Sequence, residues 1–122
     1  MIDVRTECRA LGAQIAADRD YLHAHPELSG QEEQTLAWIE RRLTALGLPV
    51  DRVEHGGLVT VLDGRGPGKR LLLRADVDAL PVGESASNLS GPKRVVSEVE
   101  GVSHACGHDA HTAMLLGAAY VL

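Results

Sequence analysis

Aromatic residues are almost missing from this chain: 122 residues hold no Phe, one Trp and two Tyr. The core is therefore expected to be aliphatic, and no aromatic platform exists on which nucleobases would stack. Basic residues are scarce too, with 12 Lys and Arg against 17 Asp and Glu for a formal charge of −5. No Lys/Arg cluster is present to neutralise phosphates, which argues against nucleic acid as a main partner and equally against an anionic membrane surface. No apolar run is long enough to span a bilayer, and the opening M-I-D-V-R-T-E-C lacks the basic and apolar regions of a secretory signal. The expected setting is cytoplasmic. Only Cys8 and Cys106 carry thiols; one falls in a helical pattern and the other among metal-binding residue types, so reduced cysteines are expected rather than a disulfide.

What the chain does have is a hydrophobic content of 44%, enough for one soluble domain with a real core. From Val4 to Tyr21 an apolar stripe of Cys8, Leu11, Ile15 and Leu22 predicts an amphipathic helix that stops before Pro26. Ser29 with Glu32 reads as a capping box for a second helix, whose face is Leu36, Ile39, Leu43 and Leu46 and whose end is marked by Gly47 and Pro49. The period then becomes strand-like over Pro49 to Glu54 and Leu58 to Leu62, with His55-Gly56-Gly57 as the turn between them. After the turn at Gly64 to Gly68, Lys69 to Ala75 reads as a strand buried on both faces, central to a sheet. Val82 to Val102 is polar and aperiodic, a long surface connection of the kind that often forms a lid. From Asp109 the pattern is helical again, and Ala113 to Leu122 is so apolar that it suits a helix buried in a larger body. That helix ends without Gly, Asn or a basic last turn, so the 122 residues are expected to be part of a longer chain. The expected fold class is α/β, with helices packed on a mixed β-sheet.

The densest chemistry lies in H-A-C-G-H-D-A-H, His104 to His111, where three imidazoles, a thiol and a carboxylate fall within eight residues. One glycine separates Cys106 from His108, so a thiolate and an imidazole can converge on one cation. His108 and His111, three apart, would share a face of a helical turn. The plainer alternative is a surface loop with Asp109 capping the helix that follows. A third reading makes Cys106 a nucleophile and His108 its base, but so short a spacer seldom gives proton-transfer geometry and no orienting third group is evident. Asp76 and Asp78 directly follow the expected central strand, and residues two apart in extended chain point to the same side. Ligands of open α/β sheets gather at such strand ends, although a solvated turn would also explain the pair. His23 and His25 flank the end of the first helix, where capping accounts for them, and Glu32 and Glu33 sit where helix-dipole and capping roles outweigh catalysis.

Three motifs in order, L-H-A-H-P-E-L-S (Leu22 to Ser29), L-L-L-R-A-D-V-D-A-L-P (Leu71 to Pro81) and H-A-C-G-H-D-A-H-T-A-M-L-L-G-A-A (His104 to Ala119), resemble the dimetal amidohydrolases and metallopeptidases that include aminoacylases, hippurate hydrolases and auxin-conjugate (IAA-amino acid) hydrolases. The resemblance implies the first part of a zinc-peptidase-like catalytic domain, residues 1–122, without the family's dimerisation domain. It implies hydrolysis of the amide bond of an N-acyl amino acid or related amide by a metal-activated water, and a complete protein that can form a homodimer. Two divalent ions per site are implied, with Mn, Zn, Co or Ni all suited to a mixed S/N/O shell. Cys106 and His108 stand at the positions of family metal ligands, and Asp76 falls near the metals. Asp78 is placed to orient a ligand, while Asp109 and His111 would support the ligands or meet substrate. The family's glutamate base, a further carboxylate ligand and two more histidines lie downstream of the C-G-H-D motif. On this reading the 122 residues alone are inactive, and the alternative is a non-catalytic remnant or weak metal-binding module.

Overall fold

The computed structural model describes residues 2–122. Four helices carry the fold: α1 (Val4–Ala10), α2 (Gly12–Ala24), α3 (Glu33–Ala45) and α4 (His108–Val121). Two short antiparallel hairpins accompany them, β1 (Asp51–Arg52) with β2 (Leu58–Val59), and β3 (Ser87–Asn88) with β4 (Gly91–Pro92).

The single helix expected from Val4 to Tyr21 is two helices that meet at Leu11, ahead of Gly12, and the second runs on to Ala24. Asp3 caps α1, accepting from Arg5 N–H at 3.2 Å and Thr6 Oγ1 at 2.5 Å. None of α1's residues is buried; in the apolar stripe Leu11 and Ile15 are half-buried and Leu22 is buried.

The capping box expected for α3 does not form. Glu27 takes over instead: its carboxylate accepts from the Gln34 N–H at 3.1 Å, from Thr35 Oγ1 at 2.6 Å and from the Thr35 N–H. A carboxylate from outside the helix can satisfy two of the orphan N–H groups of the first turn and also meets the helix dipole, which a serine hydroxyl does less well. At the other end, Gly47 (φ 77°) closes a Schellman motif, with Leu48 N–H donating to Leu43 O at 3.2 Å and Gly47 N–H to Thr44 O at 2.9 Å.

The aliphatic core follows from these placements. Ile39 and Leu43 of α3 meet Leu116 of α4, with Leu48, Val50, Leu58 and Val77 packed around them. Helices α2 and α4 cross closely enough that a Cβ on Gly117 would lie 2.8 Å from Ile15 Cδ1. Beside this contact sits a buried carboxylate, Asp18, which is 1% exposed. It accepts from Tyr120 Oη at 2.6 Å and Gln14 Nε2 at 2.9 Å and is paired with Arg42, so one side chain ties α2, α3 and α4 together. Burial, reinforced by the hydrogen bond to Asp18, pushes the Tyr120 hydroxyl up to about 12.

The sheet is smaller than the sequence predicts. The turn at His55 to Gly57 does join β1 to β2, its residues all at positive φ. Lys69 to Ala75, however, forms no ladder: Leu71 and Leu72 are 82% and 86% exposed. An apolar run is buried only if other strands flank it, and among the described residues none does. Just beyond it, Leu28 pairs with Ala79 in parallel and Leu80 with Ser103 in antiparallel, so the pairing sense of a mixed sheet survives at isolated bridges. These bridges hold Asp76 to Pro81 between the end of α2 and the start of α4.

Candidate metal centre

Gly107 makes the tight path that the C-G-H spacing implies. It adopts the left-handed conformation (φ 83°), and its carbonyl accepts the N–H groups of Ala110 and His111, both at 3.1 Å. His108 thus becomes the first residue of α4. Its Nδ1 stands 2.9 Å from the Asp78 carbonyl oxygen and 3.0 Å from Asp78 Oδ1. Both partners are acceptors, so the ring donates from Nδ1, and the lone pair of the neutral ring is at Nε2. That nitrogen faces Asp76, with Oδ2 at 4.0 Å.

Both carboxylates of the D-V-D motif therefore address the same imidazole, as extended-chain geometry predicts. Thr112 Oγ1 donates to the Asp76 carbonyl at 3.0 Å and fixes this strand end to α4. Arg74 Nη2 donates to Asp76 Oδ1 at 2.5 Å, leaving Oδ2 toward His108. Cys106 is an exposed free thiol, as is Cys8. The His111 ring lies 5.9 Å from that of His108, centroid to centroid. His104 is 7% exposed and its Nε2 meets no hydrogen-bond partner. Burial pushes that imidazole's pKa down, against the pull of Asp109 and Asp78.

These groups suit a divalent cation: an imidazole with a free lone pair and an oriented opposite nitrogen, an adjacent carboxylate, a nearby thiol, and an orphaned buried nitrogen in the same octapeptide. Among the described residues, no three His, Cys, Asp or Glu side chains converge to hold an ion. No described helix is long and apolar enough to cross a membrane.

Asp109, next to His108, faces the other way. It is 2% exposed and does not cap α4. Its Oδ2 lies 2.7 Å from His23 Nδ1 and 3.0 Å from Arg19 Nε. His23 is consequently buried rather than capping α2, and its Nε2 meets Glu84 at 2.9 and 3.1 Å. The capping role falls to His25, whose Nδ1 stands 2.8 Å from Tyr21 O. Glu33 pairs at the surface with Arg52, at 3.0 Å.

Sequence reasoning missed Glu84 and the role of His23. Glu84 also accepts from Ser97 N–H at 2.7 Å and Lys93 Nζ at 3.0 Å. Burial pushes its carboxyl up, but the Ser97 amide, His23 and Lys93 outweigh this and bring it down to about 2. No local pattern signals the pairing, since 61 residues separate Glu84 from His23. The connection from Val82 to Val102 is thus pinned by a half-buried carboxylate, and it also contains the β3–β4 hairpin.

Residues 72–122 match the family described as Peptidase family M20/M25/M40. The chain is 44% identical over 108 residues to an N-acyl-L-amino acid amidohydrolase of Geobacillus stearothermophilus, covering 88% of this chain and 28% of that protein. It is 43% identical over 123 residues to thermostable carboxypeptidase 1 of Saccharolobus solfataricus, covering 98% and 30% respectively. Among solved structures, the YXEP protein of Bacillus subtilis, a dinuclear metal binding peptidase from the M20 family, superposes with a TM-score of 0.82 at 39% identity, over 93% of this chain and 31% of that one. The chain spans about 30% of the length of such relatives. By sequence motif, by fold and by these likenesses, the chain is similar to the amino-terminal portion of peptidase family M20/M25/M40 proteins, with residues 72–122 carrying the family match.

Proposed function

We propose that the protein to which this chain contributes hydrolyses the amide bond of N-acyl amino acids or related small amides, using water activated at two divalent ions. The observation that carries this reading is the state of His108: Nδ1 is held by Asp78, and Nε2 is free beside Asp76. An imidazole whose outer nitrogen is fixed by a carboxylate presents its other nitrogen as a ligand of set direction and raised basicity. We assign Cys106 and His108 as metal ligands and Asp76 as a further carboxylate at the same ion. Asp78 orients His108. Asp109 supports the ligand turn from behind, and His111, on the helix face beside His108, is placed to meet substrate or support the site.

When bound, divalent ions supply a Lewis acid that polarises the scissile carbonyl and lowers the pKa of water. The residues present here hold and aim; none is placed as a general base, and the absence of a three-donor cluster among the described residues agrees with a shell completed elsewhere in the protein. The metal is Mn, Zn, Co or Ni on the softness of a mixed S/N/O donor set. Two free thiols suit a cytoplasmic, reducing setting, and assembly as a homodimer would involve segments outside this chain.

The reading is tested by assaying the natural gene product, its intact mass first determined, for release of amino acids from N-acyl substrates. Activity abolished by a chelator and restored by added Mn or Zn is expected. Hydrolysis unaffected by chelation would overturn it. The 122 residues by themselves are expected to give no turnover.

A further inference from the structure

The charges around His23 take no part in the ligand set, yet they end on the residue next to His108. Glu84, in the connection from Val82 to Val102, holds His23 Nε2 at 2.9 and 3.1 Å, and His23 Nδ1 meets Asp109 Oδ2 at 2.7 Å. A ring with a carboxylate at each nitrogen has one orientation, because any rotation breaks at least one contact. Glu84 is fixed from its own side by the Ser97 N–H and Lys93. A second tie, Glu98 N–H to Ala24 O at 2.9 Å, binds the same connection to the end of α2.

The first turn of α4 has few other restraints. Gly107 offers no side-chain cap, so the turn is held laterally by Asp78 on the His108 side and by His23 and Arg19 on the Asp109 side. We infer that Glu84 is a positioning residue for His108, acting through His23 and Asp109, so that the connection from Val82 to Val102 sets the direction of the His108 Nε2 lone pair. Its consequence for metal binding rests on the ligand reading of His108 given above; the positioning itself does not. Partners behind the ligands of a metal typically contribute about 10–100-fold to its affinity.

The test reads the His108 ring in the nitrogen-15-labelled natural gene product by long-range proton–nitrogen spectra. The unaltered chain is expected to show a single Nδ1–H tautomer and sharp amides from Gly107 to Ala110. Glu84→Ala is expected to give mixed tautomers and broadened amides. Glu84→Gln, which keeps an oxygen for His23, should retain most of the single-tautomer signal. Ile39→Val, a core change away from the site, should alter neither, which separates positioning from a general loss of stability. An unchanged His108 spectrum in Glu84→Ala, with native helix content, would overturn the inference. Should Glu84→Ala fail to fold, Glu84→Asp carries the same test, since the shorter chain keeps its charge but withdraws from His23; there too an unchanged spectrum overturns it. Cobalt(II) titration of the natural gene product adds a second readout, with roughly 10–100-fold weaker binding expected for Glu84→Ala. If the unaltered gene product bound no cobalt, the ligand reading would fall, while the nitrogen spectra would still decide the positioning role.

Discussion

Two regions of this molecule invert the ordinary rule of burial. In the α2–α4 layer the most deeply enclosed large side chains are carboxylates, Asp18 and Asp109, whereas in the Lys69 to Ala75 segment leucines project into solvent. The contrast shows that burial here follows the supply of partners rather than the polarity of the residue. Each buried carboxylate is met by at least one cation and by further hydrogen bonds from facing elements. Among the described residues, no strand lies on either side of Leu71 and Leu72 to cover them.

The comparison is broken most severely by removing a buried charge. Asp18→Ala strands Arg42 and the Tyr120 hydroxyl, and urea unfolding should show a loss of about 3 kcal/mol, near the lower end for a broken buried pair because Arg42 keeps some solvent contact. Asp109→Asn keeps the shape but weakens the contacts to His23 and Arg19, so about 2 kcal/mol is expected by the same measurement. A pH titration of stability probes the layer without mutation. Glu84 is depressed in the folded state from 4.5 to about 2, so its contribution is complete above about pH 4.5 and is lost as the pH falls toward 2. Glu84→Gln should flatten that acid limb; an unchanged limb would mean that other carboxylates produce it.

Smaller effects test the packing on either side of the comparison. Gly117→Ala gains helix propensity but pushes against Ile15, and a net loss of about 1 kcal/mol is expected, recovered in part when combined with Ile15→Val. Leu72→Ser should change the stability of the 122-residue chain by less than about 0.5 kcal/mol, since no contact is lost. A large loss would show that the segment is covered in solution.

What was legible in the sequence was what local chemistry decides. Leu36, Ile39 and Leu43 on the face of α3, the Gly47 stop, the turn at His55 to Gly57 and the helix after C-G-H-D were read from spacing and turn residues, and the shared side of Asp76 and Asp78 from extended-chain geometry; Leu46, expected on the same face, lies past the end of α3 and is exposed. What failed depended on distant residues. Glu27 rather than Ser29 caps α3 because a carboxylate from the preceding loop reaches its first turn. His23 looks like a capping residue until Asp109 and Glu84 are brought to its two nitrogens. The Leu71 to Leu73 run reads as a central strand because hydrophobicity reports the need for neighbours, not their presence.

The contacts that satisfy Asp18 and His23 also carry a schedule. Tyr120 reaches Asp18 across 102 residues, and Asp109 reaches His23 across 86. Closing loops of that length is entropically expensive and is repaid only when the whole layer docks. During synthesis α2 therefore leaves the ribosome with its charges unmet and waits in water until residues 109–120 arrive. A chaperone that shields α2 would act in that interval, and a helix made before α3 and α4 would be among the last to settle.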